Sequence, residues 1–539
     1  MRRVSLALIV LIAIVARTSA ADPAPGGAKG TPLPAKWTYS KDGGKTFSDK
    51  APMVSPTRTP LPKDAVTARA TFTIDDPAKV GALKLITHGD QGAITLTTAR
   101  SVDRYNVGSR PVLTEAKLAI NGKTTTSGHL PYTLYRYLTI DPALLKKGAN
   151  TLTVSGIFWF SYTKDPLPAS LRLETISADL AMLDRHPVLG PVGPDHFAFA
   201  ARAVIPSTFS VTTEPLDPPG DTTLVEFPRS RVLKARIPLP TGTKRFRYRL
   251  TVKAGRAAKE YGPYDVAVPV FGEGFRFMVA GGTWVYKAPT LQKWFKVVAR
   301  EKPQIYIHTG NFQNCRAWDW MWTRDFLSQG RTALSHIPLY PVCSVREMLS
   351  PISFSRTFYF PPDDKDFGHW TTVIGKVRFV AIEAFSQSQA KDPPAAAAWL
   401  DGILKEAKED YVIVLNHHLS GCGKARRSSR LGVAHTEKHI DPLLVKHKVT
   451  ATIGGLFAIY ARIEPAPGKR VPTIIVGRSG GLGRQTRQVK NVQDLPHCKI
   501  ATRDGHYCIF EVKKNSLVMK VFDLDGKPID QHTFTPRKP

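Results

Sequence analysis

At 539 residues the chain is too long for one hydrophobic core, so roughly two to four domains are expected, and a composition of 42% hydrophobic and 22% charged residues excludes a disordered or fibrous chain. A net charge of +31 attracts polyanions at long range and weakens that attraction as salt rises. No helix-turn-helix, zinc-finger or aromatic-interleaved basic pattern occurs, so specific reading of nucleic acid is not expected.

The chain opens with Arg2 and Arg3, an apolar run from Val4 to Ala16, and small residues at Thr18-Ser19-Ala20-Ala21. That run is too short to span a bilayer. Residues 1–21 therefore read as a signal peptide cleaved near Ala20 or Ala21, and the remaining chain as an exported, periplasmic or extracellular protein with no transmembrane segment. Residues 22–35, rich in Pro, Gly and Ala, read as a disordered leader.

From 36 to 185 the signals are β: TARATFTI (67–74), ALKLIT (82–87), KLAING (117–122) and NTLTVSGIFW (150–159), divided by Gly, Asn and Asp turns. The pairing of AKLAINGK with IDPALLKKGANTLTV resembles a galactose-binding-like jelly roll, which implies a β-sandwich and in some members carbohydrate binding. Next, HPVLGPVGPD (186–195) reads as a Pro/Gly linker into a second β-domain, 186–270. Its hairpin around Pro-Thr-Gly-Thr, with RFRYRL after it, resembles the fibronectin-III-like domain that precedes the catalytic domain of purple acid phosphatases.

From 271 to 535 short apolar runs end in Gly, His or Cys: FRFMVAGG, PQIYIHTG, HIPLYPVCS, KVRFVAIEAF, DYVIVLNHH, KVTATIGG and PTIIVGRSGG. Helix-like stretches such as TLQKWFKVVAREK and AAAAWLDGILKEAKE lie between them, and three strands with an Asp-Gly turn close the chain. Alternation of this kind predicts an α/β layer fold whose strand tips form the site. The expected fold class is thus multidomain, with N-terminal β-sandwiches followed by an α/β four-layer domain of mixed sheets with helices outside.

The order of these tips resembles the calcineurin-like metallophosphoesterases. Members of that family hold two metals such as Fe, Zn or Mn about 3.5–4 Å apart, and two cations that close require a bridging carboxylate to cancel their repulsion. Position by position, the resemblance implies that this chain keeps the frame and loses the ligands. Gly282 stands at the first aspartate and Trp284 at the first histidine. Asn311, in His308-Thr309-Gly310-Asn311, stands at the bridging aspartate. Val345 replaces a metal-binding asparagine, Arg346 replaces the catalytic histidine, and Glu347 is retained. His417 is the one retained metal ligand, with His418 beside it at a family-equivalent catalytic position. Leu456 and Ala458 replace both histidines of the last tip, whereas Gly455, Tyr460 and Arg462 match. The expectation is that the two-metal centre is gone and that no metal cofactor is used.

What remains is positive charge. GCGKARRSSR (421–430) and RQTRQVK (484–490) carry cations and no anion, and guanidinium groups bind phosphate or carboxylate without a metal. An anion site of Asn311, Arg316, Arg346, His417, Lys424, Arg426, Arg427 and Arg462 is the resulting expectation, for an anionic ligand or cell-envelope component. Alternatives stay open: an active phosphoesterase with a mononuclear site around His417, Glu347 and Asn311, or a carbohydrate-binding scaffold acting through the N-terminal sandwich. Cys315, Cys343 and Cys422 with the two histidines offer thiolate and imidazole ligands for zinc, but without C-x-x-C spacing. Cys422 beside His417 or His418 also has the residue types of a nucleophile–base pair. Cys498 and Cys508 flank a turn and could close a hairpin through a disulfide.

Overall fold

The computed structural model describes residues 30–51, 53–54, 65–87, 112–125, 137–159, 167–168, 171–283, 288–312, 322–344, 347, 351–362, 368–383, 394–420, 430–466, 468–479 and 497–537. The expected signal segment 1–21 and residues 22–29 lie outside the described residues. Among the described residues no helix is long and apolar enough to cross a membrane.

The N-terminal unit has two main antiparallel sheets, besides a short pairing of Met53–Val54 with Leu167–Pro168. One runs in the order Thr31–Leu33, Leu171–Ser177, Val80–Thr87, Tyr137–Ile140, and the other Lys36–Ser40, Ala65–Ile74, Gly148–Trp159, Val112–Ile120, Lys123–Thr124. Period-2 alternation puts Val66, Ala68, Ala70 and Phe72 of one sheet and Leu83, Leu85, Leu171 and Leu173 of the other into one apolar core. The Ile-Asn-Gly and Gly-Ala-Asn motifs of this region meet. Asn121 and Gly122 (φ 51° and 78°) make the two-residue hairpin turn. The Asn121 side chain accepts from the Thr151 N–H (2.9 Å) and donates to Asn150 Oδ1 (2.9 Å). The expected leader is too long by a few residues, because Thr31–Leu33 pairs with Leu173 to Thr175 at a sheet edge.

The middle unit corrects the expected linker. Residues 186–195 largely belong to a strand, Leu183–Val192, whose side chains are mostly buried. Pro187 and Pro191 are accommodated because this is an edge strand and its register shifts around them, so their missing N–H groups break no ladder. The strand pairs with His196–Asp217, 22 residues long, which also pairs with Thr223–Pro238 and with Arg245–Ala254, and Ala257–Ala267 pairs with the last of these to complete a five-stranded antiparallel sheet. Phe197, Phe199, Phe246 and Tyr248 pack inside it. Side chains tie this unit to the C-terminal one: Val188 enters the C-terminal core, Arg185 donates to the hydroxyls of Thr323 (3.1 Å) and Thr357 (2.8 Å), and Tyr248 donates to the Ser335 carbonyl (2.9 Å).

The C-terminal unit has two mixed sheets. The first runs Leu339–Pro341, Ile305–His308, Arg276–Ala280, His506–Val512, Leu517–Asp523, Pro528–Phe534. The second runs Trp370–Ile374, Val377–Ile382, Tyr411–Asn416, Ala451–Gly454, Thr473–Val476, Tyr460–Ile463, Cys498–Thr502. Phe277, Val279, Ile305 and Ile307 of the first share a core with Phe379, Ala381, Ile413 and Leu415 of the second. The alternate residues Val380, Ile382, Val412 and Val414 face the helices Pro394–Lys405 and Asp441–Lys446. Cys498 and Cys508 do not close a hairpin: the chain crosses between sheets at Arg503 to Gly505, both thiols are free, and Cys508 is fully buried.

Candidate functional site

In the first sheet Leu339–Pro341, Ile305–His308 and Arg276–Ala280 run parallel, and in the second Val377–Ile382, Tyr411–Asn416, Ala451–Gly454 and Thr473–Val476 do. Their carboxyl tips therefore converge at one end: Gly281 to Thr283, Thr309 to Phe312, Val342 to Ser344, His417 to Ser420, Gly455 to Ile459, and Gly477 to Ser479. Glycine is needed at several of these tips because backbone meets backbone. A Cβ on Gly282, whose φ is +65°, would overlap the carbonyl oxygen of Gly477, and one on Gly477 would overlap that of Phe457. The tips are stitched directly. Gly282 N–H donates to Gly310 O (3.1 Å), Ser479 N–H to Gly281 O (2.8 Å), and Gly477 N–H to Ile459 O (3.2 Å).

Asn311 sits in the left-handed region (φ 56°), which asparagine tolerates better than most residues. It is held there by Glu347. The buried Glu347 carboxylate accepts from the N–H groups of Asn311 (3.2 Å), Phe312 (3.1 Å) and Ser344 (3.0 Å) and from the Ser344 hydroxyl. Burial raises its carboxyl to about 7, against the opposing pull of those donors. Asn311 Oδ1 lies 3.1 Å from the Ser344 hydroxyl. Both Glu347 oxygens thus point into the loop they organise. Replacing Glu347 by Ala strands the buried N–H groups of Phe312 and Ser344 and leaves that of Asn311 only the Ser344 hydroxyl (3.2 Å). It should cost about 3 kcal/mol by denaturant unfolding, with Glu347→Gln, which keeps one acceptor, losing less.

His308 is neutral and its tautomer follows from its partners. Thr283 donates its only hydroxyl proton to Phe312 O (3.0 Å), so His308 Nε2–H donates to Thr283 Oγ1 (2.8 Å), and Nδ1 accepts from Gly310 N–H (3.2 Å). The ring stacks on Phe312 with centroids 3.6 Å apart. Burial, with His417 nearby, holds its pKa well below the ordinary value. His417 Nδ1 lies 2.8 Å from the Thr309 carbonyl, which can only accept, so Nδ1 carries the proton. His418 is buried and also held well below its ordinary pKa by burial and by His417.

Asn311, Glu347, His417 and His418 therefore do come to one end of the fold. Arg462 does not join them as an anion ligand. It donates to both oxygens of Asp530 (2.8 and 3.1 Å) and pairs with Glu464, so its charge is already neutralised between the two sheets. Trp284, Arg316, Val345, Arg346, Lys424, Arg426 and Arg427 lie outside the described residues, as do Cys315 and Cys422. Ser344 and Thr283 build the site, yet no sequence motif marks Thr283, and only the Ser-x-x-Glu spacing with Glu347 hints at Ser344.

The described residues do not fit a pair of metal ions. Gly282 has no side chain and no room for one. Asn311 offers a neutral amide whose oxygen already faces a hydroxyl. Ala458 is buried, Leu456 packs beside Phe457 and Ile459, and Glu347 is turned inward. Among the described residues no group of three or more His, Cys, Asp or Glu is arranged to hold an ion.

No protein-family model matches the sequence, and no curated protein matches it. Among solved structures, the chain is similar to a purple acid phosphatase from yellow lupin (Lupinus luteus) seeds, with a TM-score of 0.55 and 12% identity over 87% of this chain and 93% of that one. It also aligns with PhoD, at a TM-score of 0.46 and 9% identity over 66% of this chain and 92% of that one. The lupin likeness establishes the fold.

Proposed function

Taking the metallophosphoesterase-like fold as the premise, we propose that this chain is a pseudo-phosphatase: an exported protein that keeps the frame for binding and has given up hydrolysis. The observation that carries this reading is the closure of the strand tips around Gly282 and Gly477, where an acidic ligand would have to stand. A mononuclear site around His417, Glu347 and Asn311 draws no support, because both carboxylate oxygens of Glu347 are bound by backbone N–H groups.

The ligand class is an anionic, phosphate-bearing component of the cell envelope or a partner of like charge. Support comes from the net charge of +31 and from the basic run holding Lys424, Arg426 and Arg427 directly after the tip at His417 and His418, with Arg316 and Arg346 as further candidates. Arg462 is withdrawn from this set by its ion pairs.

The test pairs an activity with a binding measurement. Metal-stripped protein given Mn²⁺, Zn²⁺ or Fe³⁺ should leave p-nitrophenyl phosphate and its diester uncleaved. The same protein should bind lipopolysaccharide in a salt-sensitive way, weakened by joint Lys424→Ala, Arg426→Ala and Arg427→Ala substitution. Metal-dependent turnover lost in His417→Ala would overturn the reading.

A further inference from the structure

After the strand Tyr411–Asn416 and its tip, the described chain resumes in a helix, Arg430–His435, that runs without a break into a π-helical segment, Thr436–Ile440, and then into Asp441–Lys446. Short π segments inside helices recur at functional sites, because the widened turn re-aims side chains. The segment is pinned beside the strand tips: Thr436 donates to the His418 carbonyl (2.7 Å) and accepts from Asn416 (3.1 Å).

His435 and His439 stand four residues apart on this segment and so share a face. Their ring centroids are 5.0 Å apart with 34° between planes. His435 is 6% exposed, and its Nε2 is fully buried with no hydrogen-bond partner among the described residues. A buried, unpartnered imidazole nitrogen beside a second imidazole requires a reason. His439 is half-buried, so the pair is reached from solvent.

We infer that His435 and His439 chelate one divalent transition ion of the zinc, nickel or copper class, with water completing its shell. Imidazole is a preferred ligand for these ions, and at metal–nitrogen distances of about 2.0–2.1 Å two cis imidazoles hold their centroids about 4.5–5 Å apart. The observed spacing matches. Glu437 and Asp441 on the same segment pair with Arg470 at 3.4 and 3.2 Å. They supply no ligand there. The site is separate from the strand-tip positions, and it stands whether or not the chain hydrolyses phosphate esters.

The full chain, stripped with EDTA, would be titrated with Cu²⁺ and Zn²⁺ by calorimetry, and its copper complex examined by electron paramagnetic resonance. One ion per chain with two-nitrogen hyperfine structure is expected. His439→Ala, at a half-buried position that should still fold, should weaken binding at least about 100-fold, the upper end of what losing an outer-shell partner alone costs. His447→Ala serves as the control, since that ring is bound to Asp401 (2.6 Å), and should bind as the parent does. Failure of the parent to bind, or equal binding by His439→Ala, would overturn the assignment.

Discussion

Gly282→Asp, the substitution that would place an acid at the first tip, should unfold the C-terminal unit rather than create a metal ligand. Three costs add. The residue lies at φ +65°, where a side chain costs roughly 1–2 kcal/mol. Its Cβ would overlap the Gly477 carbonyl, and Gly477 cannot retreat because the Phe457 carbonyl already closes its other side. The carboxylate would also be taken out of water at a buried tip, a desolvation penalty of several kcal/mol. A loss of about 5 kcal/mol or more is expected, read as the fall in the urea midpoint. Gly282→Ala shares the overlap without the charge and should retain a large part of the loss. An aspartate variant as stable as the parent would show that the tips have room that the backbone contacts deny.

Mild acid should destabilise the protein steeply, between about pH 6.5 and 4.5. His308, His418 and His506 are buried and neutral, their pKa values lowered chiefly by burial, that of His506 to about 4. For His308 the network shows why: protonating Nδ1 would set a second donor against the Gly310 N–H. A depressed histidine pKa means that the unfolded chain takes up protons first, so stability is complete above the ordinary value of 6.5 and is lost as pH falls. Glu347 works in the opposite sense. Its carboxyl, raised to about 7, binds a proton in the fold before the unfolded chain does, so it adds stability as pH falls through the same window. Three histidines outweigh the one carboxyl, and His435 and His532, also lowered chiefly by burial, add to them, so the balance is a loss of stability in acid. Urea unfolding at pH 4.5 should show a stability lower by several kcal/mol than at pH 6.5. Equal stabilities, or greater stability at pH 4.5, would contradict the buried neutral state of these rings.

Much of the C-terminal unit was legible in the sequence because each central strand ends in its own punctuation. The run from Ile305 to His308 followed by Gly310, and the run from Tyr411 to Asn416 followed by two histidines, are strand and tip as expected. The Asn121-Gly122 turn was legible for the same reason, since its chemistry is local. What escaped was long-range. Pro187, Gly190 and Pro191 look like a linker, yet an edge strand with shifted register needs no N–H from its prolines. Arg462 looked free because its partner, Asp530, comes 68 residues later and from the opposite sheet. Cys498 and Cys508 looked like the two arms of a hairpin, although the chain between them changes sheets.

The candidate site divides along the same line. That Gly282, Asn311, Leu456 and Ala458 bring no acid or imidazole to the tips can be read from the letters. That Gly282 has no space for one cannot, because the obstruction is the backbone of a residue almost two hundred positions away. The same holds for Glu347, whose acid is retained in sequence but is spent on three backbone N–H groups.

The measurement that bears most directly on the loss of the two-metal centre is anomalous scattering from crystals soaked in Mn²⁺. No manganese peak within coordination distance of Asn311 or His417 is the predicted result. Two peaks beside those residues, about 3.5–4 Å apart, would contradict it and restore a hydrolytic role.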